Sequence, residues 1–189
     1  VIETLINVVG EERLGVRLSP VSIDPLTKNP NQIYFGVVHS NPEPLYEYAI
    51  RKLNDYNLAY LLLTEPRVGV LSNIPAKNNT FEVPENNYKY REIYQGTLLG
   101  AGGFTPITAR KSLSKGNYDL IAFGRWFLSN PDLPERIKKG YELNVYDRDT
   151  FYGGNELGYT DYPDYKSAIN SSKKRYKLIS QSSIGRSLS

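Results

Sequence analysis

The sequence predicts an α/β protein made of four strand–helix units, half of an eight-stranded (β/α)8 barrel. Three observations predict it. Two apolar runs of strand length, Leu98-Leu99-Gly100-Ala101-Gly102-Gly103-Phe104 and Ile121-Ala122-Phe123-Gly124-Arg125-Trp126-Phe127, each pass through glycine into a helix-like segment. Leu58 to Thr64 is nearly continuous in apolar residues, as in a strand covered on both faces of a parallel sheet. Strands alternate with helical patterns along the body of the chain, and that alternation implies parallel pairing.

Taken in order, Val1 to Val9 has apolar residues at helical spacing (Ile2, Leu5, Ile6, Val9), and Gly10 stops it. Leu14 to Leu18 alternates as a strand, with Leu14, Val16 and Leu18 on one face and Gly15 and Arg17 on the other. Val21 to Asn41 is a long polar connection containing Pro25 and Pro30. Glu43 to Tyr56 reads as an amphipathic helix burying Leu45, Tyr48, Ala49, Leu53 and Tyr56. After the Leu58 to Thr64 strand, Val68 to Asn87 is too long and too rich in Asn and Pro for a simple connector, and such loops tend to be functional lids or disordered. A helix is predicted over Tyr88 to Gln95. The first glycine turn then leads into a helix from Pro106 to Lys115. The second is followed by Asn130-Pro131-Asp132, expected to cap a last helix ending near Lys139. Asp147 to Pro163 is polar and aromatic without periodicity and is expected to pack as an ordered C-terminal extension. The predicted domain is residues 1–163, followed by a basic, Ser-rich, disordered tail over 164–189.

A full barrel needs about 250 residues, and this chain has 189. Alone, four units would expose two parallel edge strands and one face of an unfinished core. The chain contains no Met and begins at Val1 within a helical pattern, so it is expected to be a fragment. It has no Cys, which rules out disulfides, thiolate metal sites and Cys nucleophiles. Its single His, His39, rules out paired-His chemistry, and no metal site is predicted. No run approaches the roughly 18 apolar residues of a membrane span, and no secretory signal is visible, which suits a cytoplasmic protein. The net charge of +3 is uneven: residues 171–189 carry +5 and leave the body at −2. No basic stripe interleaves with aromatics there, so no nucleic-acid partner is expected.

Arg17 is the most telling single residue. If its strand face lines a barrel mouth, the guanidinium sits near the strand's C-terminal end. Burying it without a partner is costly, so either an anionic or polarisable ligand edge or a structural salt bridge is implied. A flavin suits the first alternative, because its N1/C2-carbonyl edge gains negative charge on reduction. The turns at Gly102-Gly103 and Gly124-Arg125 either bind one phosphate, as the loops after the last strands of such barrels often do, or are ordinary βα turns with a surface Arg. Glu65 and Arg67 follow a strand and either touch a substrate or pair with each other. Phe151 and Tyr152 either cover an aromatic cofactor or pack as core. His39 reads as a surface histidine.

Several motifs then coincide. Gly15-Val16-Arg17-Leu18-Ser19-Pro20, Ser40-Asn41-Pro42, Leu58-Ala59-Tyr60-Leu61 with Glu65-Pro66-Arg67, Ala101-Gly102-Gly103-Phe104 and Phe123-Gly124-Arg125-Trp126-Phe127-Leu128-Ser129-Asn130-Pro131-Asp132-Leu133 occur in that order. Tyr146-Asp147-Arg148-Asp149-Thr150-Phe151-Tyr152 and Gly158-Tyr159-Thr160-Asp161-Tyr162-Pro163 close the series. From about Val1 to Pro163 the chain resembles the Old Yellow Enzyme family, which includes the oxophytodienoate reductases and microbial ene-reductases.

The resemblance implies the C-terminal half, strands 5–8, of a flavin-binding TIM (β/α)8 barrel with a C-terminal extension. It implies FMN as cofactor and NADPH as electron donor, with hydride passing through the flavin to the C=C bond of an enone or enal. Arg17 would meet the flavin pyrimidine edge. Gly102 and Gly103, then Gly124 and Arg125, would contact the phosphate. Phe151 and Tyr152 would form the aromatic pair near the flavin and the substrate opening, and Arg67 would contact substrate. The family's His/Asn or His/His carbonyl clamp and its tyrosine proton donor have no counterpart here. No catalytic residue is therefore expected in this chain, the missing N-terminal half of the barrel is its expected partner, and by itself it is expected to be inactive. The connection Val21 to Val38 looks longer than usual, and the loop Val68 to Asn87 has no clear match. The rival reading is a non-catalytic half-barrel acting as a binding or assembly module, its open edges covered by a partner or by self-association.

Overall fold

The computed structural model describes residues 1–20, 41–65 and 87–170. His39, Arg67, most of the two long connections and the tail from Ser171 lie outside the described residues. The chain divides into two compact units, Val1–Phe123 and Gly124–Ser189. A boundary thus falls inside the single domain, 1–163, that the sequence predicts.

The first unit carries the sheet. Helix α1 (Ile2–Val9) ends at Gly10, whose positive φ of 86° is cheap only for glycine and whose N–H donates to Ile6 O. A 3-10 turn (Glu11–Arg13) leads into β1 (Gly15–Leu18). Helix α2 (Pro42–Leu53) opens with proline where no intrahelical N–H is needed, and closes on Arg51 and Lys52, which favour the negative end of the helix dipole. Strand β2 (Tyr60–Thr64) follows. Where the sequence predicts a helix over Tyr88 to Gln95, the chain forms a 3-10 helix over Asn87–Glu92, with Asn87 and Tyr90 buried. Then come β3 (Leu98–Ala101), α3 (Pro106–Ser114) and β4 (Leu120–Ala122). Thr105 and Thr108 form a reciprocal capping box at the start of α3.

The four strands pair in parallel in the order β1-β2-β3-β4, as the sequence predicts. Register and parity assign the two faces. Val16, Leu18, Leu61, Leu63, Leu98, Gly100 and Ile121 share the face that packs with Ile50, Leu53 and Ala109 from the helices. Leu61, Leu63 and Leu98 are fully buried there, each worth about 2–3 kcal/mol of apolar burial. The opposite face carries the row Arg17, Leu62, Leu99 and Leu120, one residue from each strand. Leu120 is 55% exposed, so this second apolar face is only partly covered among the described residues. Those residues also pair no further strand to the outer edge of β1 or β4.

Gly100 shows how tightly the covered face is packed. A Cβ there would lie 2.8 Å from the Tyr118 ring, which is itself buried. Gly100→Ala is expected to cost about 1–3 kcal/mol by overpacking, measured as a shift in the urea midpoint followed by far-UV circular dichroism. An unchanged midpoint would mean that the ring has room to retreat.

The second unit holds α4 (Arg125–Ser129), α5 (Leu133–Lys139) and a helical stretch over residues 165–170. The expected cap of α5 is not made. The Asp132 carboxylate instead accepts from Arg136 Nε (2.6 Å) and from the Tyr165 N–H (2.8 Å). Asn130 is fully buried and exchanges hydrogen bonds with the Asn144 backbone. These polar groups satisfy buried backbone and a buried cation, a stronger demand than one exposed helix end. Residues 165–170, which composition assigns to the disordered tail, are helical. Asp164 accepts from the Ser167 N–H, and the Tyr165 ring stacks on Tyr141 at 3.7 Å. An aromatic anchor and a local cap explain the order that composition does not reveal.

Candidate active site

In a parallel sheet all strands end at the same edge, and ligands favour that edge. In the first unit it collects Arg17 on β1, Thr64 and Glu65 at the end of β2, and Gly102 and Gly103 after β3. Arg17 is exposed on the face opposite the helices, as strand parity predicts. Its Nε donates to Thr64 Oγ1 at 3.1 Å. That bond fixes the guanidinium by its stem and leaves both terminal nitrogens unpaired among the described residues. The salt-bridge alternative for Arg17 has no carboxylate to rest on there. The expectation of a buried charge is also corrected: Arg17 is held in place while solvated.

Arg67, the partner that the sequence offers Glu65, lies outside the described residues; within them Glu65 is tied into a buried network. It is 1% exposed, accepts from the Asn87 N–H (3.2 Å to each oxygen) and receives the Tyr118 hydroxyl. Asn87 Nδ2 in turn donates to Thr64 O at 2.8 Å. This buried network ties the end of β2 to the 3-10 helix and to the segment before β4, and so steadies the strand end from which Thr64 reaches Arg17. Gly102 and Gly103 have φ of 96° and 72°. Two consecutive left-handed residues are cheap only for glycine, and they bring the bare backbone to the sheet edge.

In the second unit, Gly124 precedes α4, and a Cβ built on it would meet nothing within 4 Å. Among the described residues no contact requires glycine there, and the space beside it is open. The Arg125 guanidinium lies 5.7 Å from the centre of the Tyr146 ring, a cation–π contact that makes it half-buried and not a free surface Arg. Tyr146 also meets Trp126 edge-on at 5.0 Å and Phe151 at 5.8 Å. Phe151 and Tyr152 are therefore divided. Phe151 packs between Tyr146 and Arg148, whereas Tyr152 is 96% exposed.

Residues 1–144 match the family described as NADH:flavin oxidoreductase / NADH oxidase. The chain belongs to that family. Among similar proteins of this flavin oxidoreductase family, 12-oxophytodienoate reductase 2 of Arabidopsis thaliana is 38% identical over 168 residues, covering 88% of this chain and 41% of that protein. The 12-oxophytodienoate reductase 1 of Oryza sativa subsp. japonica is 33% identical over 93% of this chain and 43% of its own length. Morphinone reductase superposes with a TM-score of 0.69 at 33% identity, over 88% of this chain and 40% of that one. The old yellow enzyme of Trypanosoma cruzi gives 0.69 at 28% identity, over 87% and 38%. These likenesses place the chain in the Old Yellow Enzyme group and its sheet in an α/β barrel-type fold. The chain spans about two fifths of the length of the curated relatives it matches.

Of the residues that the sequence singles out, Arg17, Gly102 and Gly103 stand in the first unit, and Gly124, Arg125, Phe151 and Tyr152 in the second. The sequence does not single out Thr64, Asn87, Tyr118, Tyr146 or Tyr159 as site-forming. Parity along β2 marks Thr64, which shares a face with Leu62, the register partner of Arg17. Nothing local marks the other four. Among the described residues no group of three or more His, Cys, Asp or Glu could hold a metal ion, and no helix is long and apolar enough to cross a membrane.

Proposed function

We propose that this chain is the C-terminal half, strands 5–8, of an FMN-dependent oxidoreductase that passes hydride from NADPH to the C=C bond of α,β-unsaturated carbonyl compounds. The observation that carries the reading is the fixed, solvated Arg17 at the C-terminal sheet edge, its Nε on Thr64 and its terminal nitrogens unpaired among the described residues. The left-handed Gly102-Gly103 pair and the open space beside Gly124 fit a phosphate's close approach. When bound, FMN supplies hydride transfer between a nicotinamide and a conjugated alkene. Arg17 would hold the pyrimidine edge of the ring with its guanidinium, a cation suited to stabilise negative charge there. Gly102 and Gly103 would offer bare backbone to a phosphate, and Gly124 with the Arg125 guanidinium would offer an anion contact in the second unit. Phe151 braces the loop that carries Tyr152, and Tyr152 would border the substrate; Arg67, outside the described residues, is likewise assigned to substrate. The proton donor and carbonyl clamp belong to the missing N-terminal half. A solved morphinone reductase is described in complex with tetrahydroNAD, which supports a nicotinamide donor.

The test joins the chain to an N-terminal barrel half, its own or that of a 12-oxophytodienoate reductase. The folded pair is expected to be yellow, to release FMN on denaturation, and to oxidise NADPH in the presence of 2-cyclohexenone. The chain alone is expected to be colourless and inactive. A well-folded pair that stays colourless in excess FMN would sink the reading. The row Leu62, Leu99 and Leu120, only partly covered among the described residues, with outer strand edges that those residues do not pair, favours a second reading, an assembly module. A defined, soluble dimer of the 189-residue chain would favour that alternative.

A further inference from the structure

Tyr152 has φ of 56°, the left-handed region, and among the described residues it is the one non-glycine there. A bulky side chain in that region costs free energy and persists only where the surroundings enforce it. Its own ring does not repay that cost by burial, since it is 96% exposed. The backbone is held instead. The Tyr152 N–H donates to the Tyr159 hydroxyl oxygen at 2.6 Å. Tyr159 is brought across by Gly158, whose φ is 76° and where a Cβ would stand 1.9 Å from Thr150 Oγ1. Thr150 donates its hydroxyl to Asp147 O, and the Asp147 N–H donates to the Tyr162 hydroxyl. The loop is closed at its base by Tyr162 and at its tip by Tyr159.

We propose that Tyr159 is a positioning residue: by accepting the Tyr152 N–H it locks Tyr152 in the left-handed conformation and presents its exposed ring to the flat, conjugated face of the enone. This deepens the preceding functional reading and rests on it for the identity of the ligand.

Amide exchange in the isotope-labelled 189-residue chain tests the lock directly. Tyr159→Phe is expected to speed exchange at the Tyr152 amide by about tenfold, the loss of one well-made hydrogen bond. Unchanged exchange would overturn the proposal. In the FMN-loaded barrel, Tyr159→Phe is expected to raise KM for 2-cyclohexenone about fivefold with kcat unchanged, and Tyr152→Ala is expected to raise KM likewise. Tyr162→Phe removes a comparable bond at the loop base and is expected to leave KM alone. An equal rise from Tyr162→Phe would assign the effect to the loop as a whole and overturn the specific role. Tyr152→Gly relieves the left-handed strain, so it should hold or raise the Tm while KM rises. A lower Tm would show that the ring is retained for packing and would overturn the proposal. If the wild-type barrel takes up no FMN, the functional reading fails, while the exchange measurement still decides the Tyr159–Tyr152 lock.

Discussion

Replacing Arg136 by methionine is expected to destabilise the Gly124–Ser189 unit by about 3–5 kcal/mol, the range for breaking a buried charge pair from one side. Arg136 is 2% exposed and donates to three acceptors from separate parts of the unit: Asp132 Oδ1 and Glu142 O, each at 2.6 Å, and Pro163 O at 3.0 Å. Its guanidinium also lies over the Tyr165 ring. Methionine fills similar volume but leaves the Glu142 carbonyl without its Arg136 donor, Pro163 O with only Asn144 Nδ2 at 2.8 Å, and Asp132 without its cation. Lysine is expected to rescue little, because an ammonium cannot fork to three fixed acceptors. Trp126 is the only Trp in the chain and lies in this unit, so urea unfolding followed by its fluorescence reads the change without signal from the sheet. Lys139→Ala, which breaks the exposed pair with Glu135 and an exposed cation–π contact at 5.6 Å with Tyr141, should give a far smaller shift. A methionine variant within 1 kcal/mol of wild type, by order of magnitude, would show that the three acceptors find water.

The same pair has a pH signature. Burial pushes the Asp132 carboxyl up, but the Tyr165 N–H and the Arg136 guanidinium more than offset it, so the group ends below the ordinary aspartate value. A carboxyl lowered in the folded state stabilises it fully above the unfolded value near 3.8 and loses that contribution as pH falls through its lower folded value. Stability read by Trp126 is therefore expected to fall on acidification below about pH 4, and less steeply in Arg136→Met. Equal acid slopes in the two proteins would contradict this assignment.

Arg17→Met is expected to lower enone-dependent NADPH oxidation by the FMN-loaded barrel about 100-fold, the scale of removing one preorganised donor from a site of developing charge. Folding should hardly notice, because Arg17 is exposed and its one described bond is to Thr64. Thr64→Val, which frees the guanidinium from its stem, is expected to give a smaller loss of about tenfold. Flavin absorbance titration and steady-state rates check both variants. An Arg17→Met barrel with wild-type FMN affinity and turnover would remove Arg17 from the site.

Much of the fold was legible in the chain itself. The period-2 pattern placed Arg17 opposite Val16 and Leu18, and the register confirms that face. Gly10, Thr105 with Pro106, and Gly102-Gly103 punctuated the elements through chemistry that acts within a few residues. The 3-10 helix at Asn87–Glu92 is not legible locally because its first residue is anchored by Glu65 and Thr64, 22 and 23 residues away. The Asn130-Pro131-Asp132 cap does not form because the local signature of a capping residue is also that of a good tertiary acceptor.

By itself the sequence determined a parallel α/β barrel-type sheet, its glycine turns and the strand face that bears Arg17. Those follow from local periodicity and backbone freedom, which each short stretch carries within itself. Only the tertiary structure decided that Thr64 holds Arg17, that Glu65 is buried under Tyr118, that Arg136 needs Asp132, and that Tyr159 holds Tyr152 in a left-handed turn. The physical reason is that a polar side chain has several partners of equal chemistry along the chain. Strand register and loop closure choose among them, by setting which ones come within hydrogen-bond reach.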